Sequence, residues 1–357
     1  MATKYKKGKD GWYSTLIWDG SYNEDGSKHR KQIRSNKSSK DLETKVHSFK
    51  RKVEKKDVTL KTNLTFIGYA KEWKDIYKAS KSINTKQMYN RIINSTFREL
   101  EGIRLIDIDR KHLQVLLNNN TAAVSRQAYL TFKQVIKSAI TDRYLPQNKM
   151  DIFEGIEKPK APAKERRVLT DLEKEKIKKG SFRDMDKAFL LIIYGCGLRR
   201  GEALALTRFD IDFKHKEIIV NKSLAFDCNN PVVKDTKSAN GIRRIPMPTY
   251  LSKYLKSYLQ SFNEASLFRT RGKDNMTRTS YTRMWNRIRL EIGSQDLTAH
   301  VFRHNFCTSL CYQIPTISIK KIAQLLGDHE NMVMNVYNHI ILEKEDAMGA
   351  INKALAL

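Results

Sequence analysis

What the chain has little of narrows its function first. Cysteine is scarce, with four residues in 357 (Cys196, Cys228, Cys307 and Cys311). These are too few and too scattered for a disulfide framework, which suits a reducing compartment. Cys307 and Cys311 stand four apart near His304, but no CxxC pair accompanies them, and they read as small buried thiols rather than metal ligands. No apolar run is long enough to cross a bilayer, no signal-peptide pattern is found, and no separate basic amphipathic segment offers itself to a membrane surface. Internal repeats and low-complexity tracts are absent too. The expectation is a soluble, cytoplasmic protein.

Acidic residues are the second shortage. With 67 Lys+Arg against 39 Asp+Glu, the formal charge is +28. An excess of that size is not balanced within the protein and calls for a polyanionic partner, nucleic acid first. The length predicts two or three domains, because one core seldom serves so many residues.

Three parts can be read along the chain. Residues 1–60 contain short β-prone runs broken by turns such as "NEDG", then the more helical "KDLETKVHSFKRKVEKKD". They predict a three-stranded sheet packed on one helix, with Trp12, Tyr13 and Trp18 as its core and its basic residues as DNA contacts. Residues 61–156 predict an all-helical domain. "FIGYAKEWKDIYKAS", "NTKQMYNRIINSTFREL", "DRKHLQVLLNNN" and "SRQAYLTFKQVIKSAITDRYL" place apolar residues three and four apart, with Asn84, Thr85 and Ser125 as helix caps. Residues 157–167, with Pro159, Pro162 and a run of charge, predict a linker. Residues 168–357 mix helices with a small antiparallel sheet, since "KEIIVNKS", "PVVKDTKS" and "GIRRIPMP" are rich in β-branched residues between turns. The fold class is therefore multidomain α+β.

The chemistry is concentrated in that last part. In "YGCGLRRGEALALTRFDID" a helix starting near Leu198 sets Arg199 and Glu202 on one face, so the carboxylate can hold the guanidinium; taken alone, the stretch reads first as a surface ion pair worth little. In "TAHVFRHNF", His300, Arg303 and His304 lie on one side of a helix, and the fixed charge of Arg303 favours an oxyanion over a divalent metal. Lys237 sits at a turn between two strands in "VVKDTKSANGIRRIP", and "LLGDHENMVMNVYNH" supplies Tyr337. Two arginines, a lysine, histidines and a tyrosine, without an acidic cluster for metal, suit transfer of a phosphodiester between alcohols. That reaction needs a nucleophile, cations on the non-bridging oxygens and an acid for the leaving alkoxide.

The ordered set resembles the tyrosine recombinases of the phage lambda integrase type, over essentially the whole chain. Gly197, Leu198, Arg199 and Glu202 match the family's GLRxxE, His300, Arg303 and His304 match HxxRH, Lys237 falls on its β-turn lysine, and Tyr337 falls on its nucleophile. The resemblance implies a site-specific recombinase that integrates and excises a prophage or an integrative conjugative element in a bacterial host, associated with its nucleoid. Tyr337 would form a 3′-phosphotyrosyl bond, Arg199 and Arg303 would hold the phosphate, Lys237 would protonate the leaving 5′-oxygen, and His300 would assist. Glu202 would orient the site and His304 support its packing. No metal, ATP or other cofactor is implied.

The implied partners are double-stranded DNA at core and arm sites, three further protomers in a homotetramer, and, as accessory proteins, a DNA-bending protein and an excision factor. The first part would bind arm sites, while the second and third would clamp the core site. An apolar stripe in the tail (Met348, Ile351, Leu355) would dock on a neighbouring protomer or on its own subunit. One position departs from the family: Asp328 stands where a histidine or tryptophan usually follows "LLG". The expectation is that His329 turns inward in a shifted register while Asp328 faces solvent; the alternative is that the ligand is missing. Two other readings are a relaxing topoisomerase of the type IB kind and a catalytically silent DNA-binding relative.

Overall fold

The computed structural model describes residues 4–22, 27–54, 63–160, 167–235, 241–260 and 264–344. It is mostly helical with small antiparallel sheets and divides into two compact units, Met1–Ala163 and Lys164–Leu357.

The first unit begins with an antiparallel pair, β1 (Tyr13–Tyr22) and β2 (Lys28–Ser35), covered by α1 (Ser39–Glu54). Among the described residues this sheet has two strands rather than the expected three. The chain ahead of β1 pairs with it by backbone through a bridge between Lys7 and Tyr13 and does not form a third strand, because Gly8 and Gly11 turn it back on itself. The expected aromatic core is corrected as well. Strand alternation puts Tyr13, Thr15 and Ile17 on the more buried side, while Trp12, Leu16 and Trp18 are exposed on the other. Leu42 and Val46 of α1 supply the burial instead.

The helical part of this unit comprises α2 (Phe66–Tyr77), α3 (Ile83–Asn94), α4 (Arg110–Asn118) and α5 (Ala122–Thr141). Each turns one apolar stripe inward, and Phe66, Phe97 and Phe132 meet at the centre with ring centroids 4.7–6.0 Å apart. The caps differ from those expected. Ser82 caps α3 by accepting from Thr85 N, which leaves Asn84 and Thr85 inside the helix. Helix α5 starts at Ala122, and Ser125 is buried within it, donating to the Leu117 carbonyl at 2.8 Å. A buried hydroxyl needs that partner more than a helix start needs a second cap.

The second unit is built around α7 (Asp184–Cys196), whose Phe189, Leu190, Ile192 and Ile193 are fully buried, so that this helix is apolar all round beyond its charged first turn. Around it come α6 (Asp171–Lys179), α8 (Arg200–Leu204), β3 (Ile211–Asp212), β4 (Glu217–Val220), β5 (Lys222–Asp227), β6 (Asn230–Asp235), β7 (Arg243–Pro246), α9 (Thr249–Gln260) and α10 (Arg278–Ile292). The strands form a three-stranded sheet, β3-β4-β7, and a β5-β6 hairpin, all antiparallel. Helices α11 (Ala299–Cys311), α12 (Ile319–Leu326) and α13 (Glu330–Lys344) enclose a smaller core of Cys307, Cys311, Ile322, Leu326, Val333 and Ile340.

Candidate active site

Arg199 stands at the junction of α7 and α8. Helix α7 ends at Gly197 in the left-handed region (φ +60°), and fully buried Leu198 then pins the chain so that Arg199 opens α8. Glu202, three residues on, accepts from the Arg199 backbone N–H through Oε2 and from Arg199 Nη1 through Oε1, both at 2.9 Å. The expected pairing is therefore present, but as a cap at the helix start and not as two neighbouring turns of one face.

Arg303 comes from α11 and is almost fully buried. Its Nη1 donates to the Gly197 carbonyl at 2.9 Å and its Nη2 to the Leu326 carbonyl at 2.6 Å, so it ties the ends of α7 and α12 together. Burial, helped by the like charge of Arg199, pushes the guanidinium below its ordinary pKa, against the pull of Asp328 and Glu202. Such a cation requires an anion beside it.

That anion is Asp328. Helix α12 ends at Gly327 (φ +64°), and the turn is closed by a bond from Asp328 N to the Ala323 carbonyl at 3.1 Å. The Asp328 carboxylate accepts from Arg199 Nη2 through Oδ1 and from Arg303 Nη2 through Oδ2. The expected inward turn of His329 is thus reversed. His329 is exposed just before α13 and Asp328 faces the arginines, because two converging guanidiniums attract a carboxylate and repel an imidazolium.

Arg243, on β7, carries a role that sequence reasoning missed. Its guanidinium donates to both oxygens of Glu202, at 2.8 and 3.2 Å, and its Nε donates to the Leu325 carbonyl at 2.8 Å. Burial alone would raise the Glu202 pKa, but hydrogen bonds and charge from Arg243, with those from Arg199, hold it below the usual carboxylate value. Five groups then alternate in charge: Arg243, Glu202, Arg199, Asp328 and Arg303. The only sequence signal was an arginine at an inward position of a short strand, which is one of many.

The other expected residues are placed as follows. His300 lies exposed on the first turn of α11, one turn before Arg303. His304 is half-buried and lines a separate groove of about 550 Å³ with Thr308, Tyr312, Val336 and His339. Tyr337 is half-buried on α13, on the face that carries Val333 and Ile340, and packs against the small core shared with α11 and α12. Lys237 lies outside the described residues, between β6 and β7. A groove of about 590 Å³ opens beside the site, lined by Arg243, Arg244, Lys320, Lys321, Asp328 and His329 among others. Four basic side chains (Arg243, Arg244, Lys320 and Lys321) and three acidic ones (Glu217, Asp328 and Glu330) line it.

Residues 166–343 match the model of the phage integrase family. A XerC-like tyrosine recombinase of Caldanaerobacter subterraneus subsp. tengcongensis is 25% identical over 281 residues, covering 70% of this chain and 71% of the relative. The integrase of Staphylococcus phage L54a is 24% identical over 351 residues, 85% of this chain and 96% of that protein. Among solved structures, the Tn1549 transposon integrase in complex with a circular intermediate DNA has a TM-score of 0.67 at 18% identity, covering 77% of this chain and 95% of that one. A lambda integrase tetramer bound to a Holliday junction has a TM-score of 0.58 at 17% identity and covers 93% of each chain. The structural likenesses establish the fold, and the family match covers the part that carries the arginines and Tyr337. The chain belongs to the phage integrase family, as a tyrosine recombinase of the lambda integrase type.

Proposed function

We propose that the protein integrates and excises a mobile genetic element by cutting and rejoining DNA through a covalent 3′-phosphotyrosyl intermediate. The observation that carries this reading is the convergence of Arg199 and Arg303, from segments remote in sequence, on a single oxyanion. Planar guanidiniums held in place by Glu202 and by backbone carbonyls are preorganised to bind non-bridging phosphate oxygens, where charge accumulates in the transition state.

In this scheme the Tyr337 oxygen bonds to phosphorus as the bond to the 5′-oxygen breaks. Lys237 delivers a proton to that leaving oxygen, and His300 assists the proton transfer or hydrogen-bonds the phosphate. The phosphotyrosyl bond retains the energy of the phosphodiester, so the released 5′-hydroxyl, or that of a partner strand, reverses the step without ATP. Fixed cations take the place that metal ions hold in many nucleases.

The partner is double-stranded DNA. The lambda integrase of known structure is a tetramer bound to a Holliday junction, and a homotetramer on DNA is the assembly proposed here, with a DNA-bending protein and an excision factor as accessory proteins. The N-terminal hairpin suits arm-site binding because its open face sets Trp12, Leu16 and Trp18 beside Lys28, Arg30 and Arg34. The apolar stripe of the tail, which lies outside the described residues, would dock on a neighbouring protomer or on its own subunit.

The test is a nicked core-site duplex that traps cleavage, followed by denaturing electrophoresis. A covalent protein–DNA band is expected with the wild type, unchanged by EDTA and abolished in Tyr337→Phe, which keeps DNA binding. No band with the wild type, or an undiminished one with Tyr337→Phe, sinks the assignment. One observation favours a second reading, a catalytically silent DNA-binding relative: Asp328 already engages both arginines. The same assay separates the two.

A further inference from the structure

The oxyanion on Arg199 and Arg303 is supplied by the protein itself. The carboxylate of Asp328 spans two guanidiniums, one oxygen to each. This is the arrangement in which the two non-bridging oxygens of a phosphodiester would lie. Carboxylate and phosphodiester each distribute one negative charge over two oxygens, so exchanging one for the other leaves the arginines balanced.

We infer that Asp328 is an internal stand-in for the scissile phosphate, a displaceable ligand that occupies the oxyanion site until docked DNA takes its place. This rests on the reading of Arg199 and Arg303 as the phosphate clamp. Three observations support the exchange. The side chain of Asp328 is 27% exposed and that of Arg199 42%, whereas that of Arg303 is only 5% exposed, so a ligand reaches the buried arginine from the side that Asp328 covers. Asp328 lies between two helices, directly after Gly327 in its left-handed turn, where a side chain can swing away without unwinding either helix. Among the described residues its carboxylate accepts from those two guanidiniums.

The arrangement does two things. Without DNA it neutralises a buried arginine that would otherwise stand unpaired. With DNA it sets a threshold, because a phosphate must displace a tethered competitor of high effective concentration. A duplex held by the rest of the protein meets that threshold and a passing phosphate does not. The departure from the family pattern at this position thereby becomes a control on the clamp, compatible with activity.

The experiment compares Asp328→Asn with Glu330→Gln, which removes the same unit of charge from the same groove. Both are made in full-length Tyr337→Phe protein and titrated with inorganic phosphate, reading thermal unfolding and binding. Expected is phosphate binding at least tenfold tighter in Asp328→Asn than in Glu330→Gln, with a melting temperature lowered in phosphate-free buffer and restored by phosphate. Asp328→His serves as a second variant and should show the same rescue. Equal tightening in Asp328→Asn and Glu330→Gln, or no rescue by phosphate, overturns the inference. So does failure of both Asp328 variants to fold in phosphate, since the exchange requires phosphate to replace the carboxylate. Absence of covalent product from the wild-type protein in the nicked-duplex assay, with phosphate rescue intact in the Asp328 variants, would instead refute the recombinase reading and leave this one standing.

Discussion

Arg243 closes over Glu202 with two hydrogen bonds, and the side chains of both are more than nine-tenths buried. The pair joins β7 to the start of α8, so the orientation of Arg199 depends on a strand residue 44 positions further along the chain. Breaking a buried pair by removing one partner strands the other charge, and Arg243→Ala should cost about 3–5 kcal/mol in urea denaturation. Arg243→Lys keeps the charge but loses the second bond to Glu202 and the bond to the Leu325 carbonyl. It should fold with a smaller loss and bind DNA while forming the covalent product more slowly. Wild-type stability in Arg243→Ala would show that the pair does not hold the site.

Two carboxylates give the catalytic unit an acid limit. Glu173 is held at about 2, because hydrogen bonds from Arg167, Ser294 and the Thr170 backbone outweigh the burial that would raise it, and Glu202 is likewise held below the ordinary glutamate value of 4.5. Both folded values lie below the unfolded one. The stability they confer is therefore complete above about pH 4.5 and is lost as pH falls through the folded values. Urea midpoints of the wild type should be flat near neutrality and fall toward pH 3, and Glu173→Gln should flatten that fall while lowering the neutral midpoint. A midpoint that rises on acidification would contradict the assignment.

Gly197 should not tolerate a side chain. Its φ of +60° disfavours any L-residue, and an added Cβ would come within 2.5 Å of the Phe306 ring. The backbone conformation alone costs about 1–2 kcal/mol, and the clash adds to it. Because the Gly197 carbonyl also accepts from Arg303, Gly197→Ala should lower both thermal stability and cleavage. An unchanged melting temperature would mean that the turn relaxes freely.

The open face of the N-terminal hairpin predicts a salt-dependent contribution to DNA binding. Lys28 stacks over Trp18, and Arg30 pairs with Trp18 across the strands. If each cation contacts a phosphate, Lys28→Ala and Arg30→Ala should each reduce the slope of log K against log salt by about 0.9. Trp18→Ala should weaken arm-site binding without altering core-site cleavage. Unchanged slopes in Lys28→Ala and Arg30→Ala, with unweakened arm-site binding in Trp18→Ala, would move the arm contacts to another surface.

Much of this molecule was legible before any coordinates. Periodicity located the helices that became α2 to α5, and β-branched runs located β4, β6 and β7 but not β5, because local spacing determines which residues share a face. In the first part the sheet has two strands among the described residues where three are expected, and of the expected aromatic core Tyr13 lies on the covered side while Trp12 and Trp18 lie on the open one. So small a sheet has only one covered side, and nothing local says which alternate set α1 will choose. The caps of α3 and α5 were also misjudged, since Ser125 had a tertiary partner eight residues back.

The order of residues along the chain already carries the chemical inventory: Arg199, Glu202, Lys237, His300, Arg303 and Tyr337, with an excess of cations and no acidic cluster. Tertiary structure alone decided which charges meet. Asp328 reaches Arg199 across 129 residues and Arg303 across 25, while Arg243 reaches Glu202 across 41. Such pairings follow from burial, because a guanidinium taken out of water pairs with the carboxylate that the fold brings within reach. That is why Asp328, and not His329, faces the arginines.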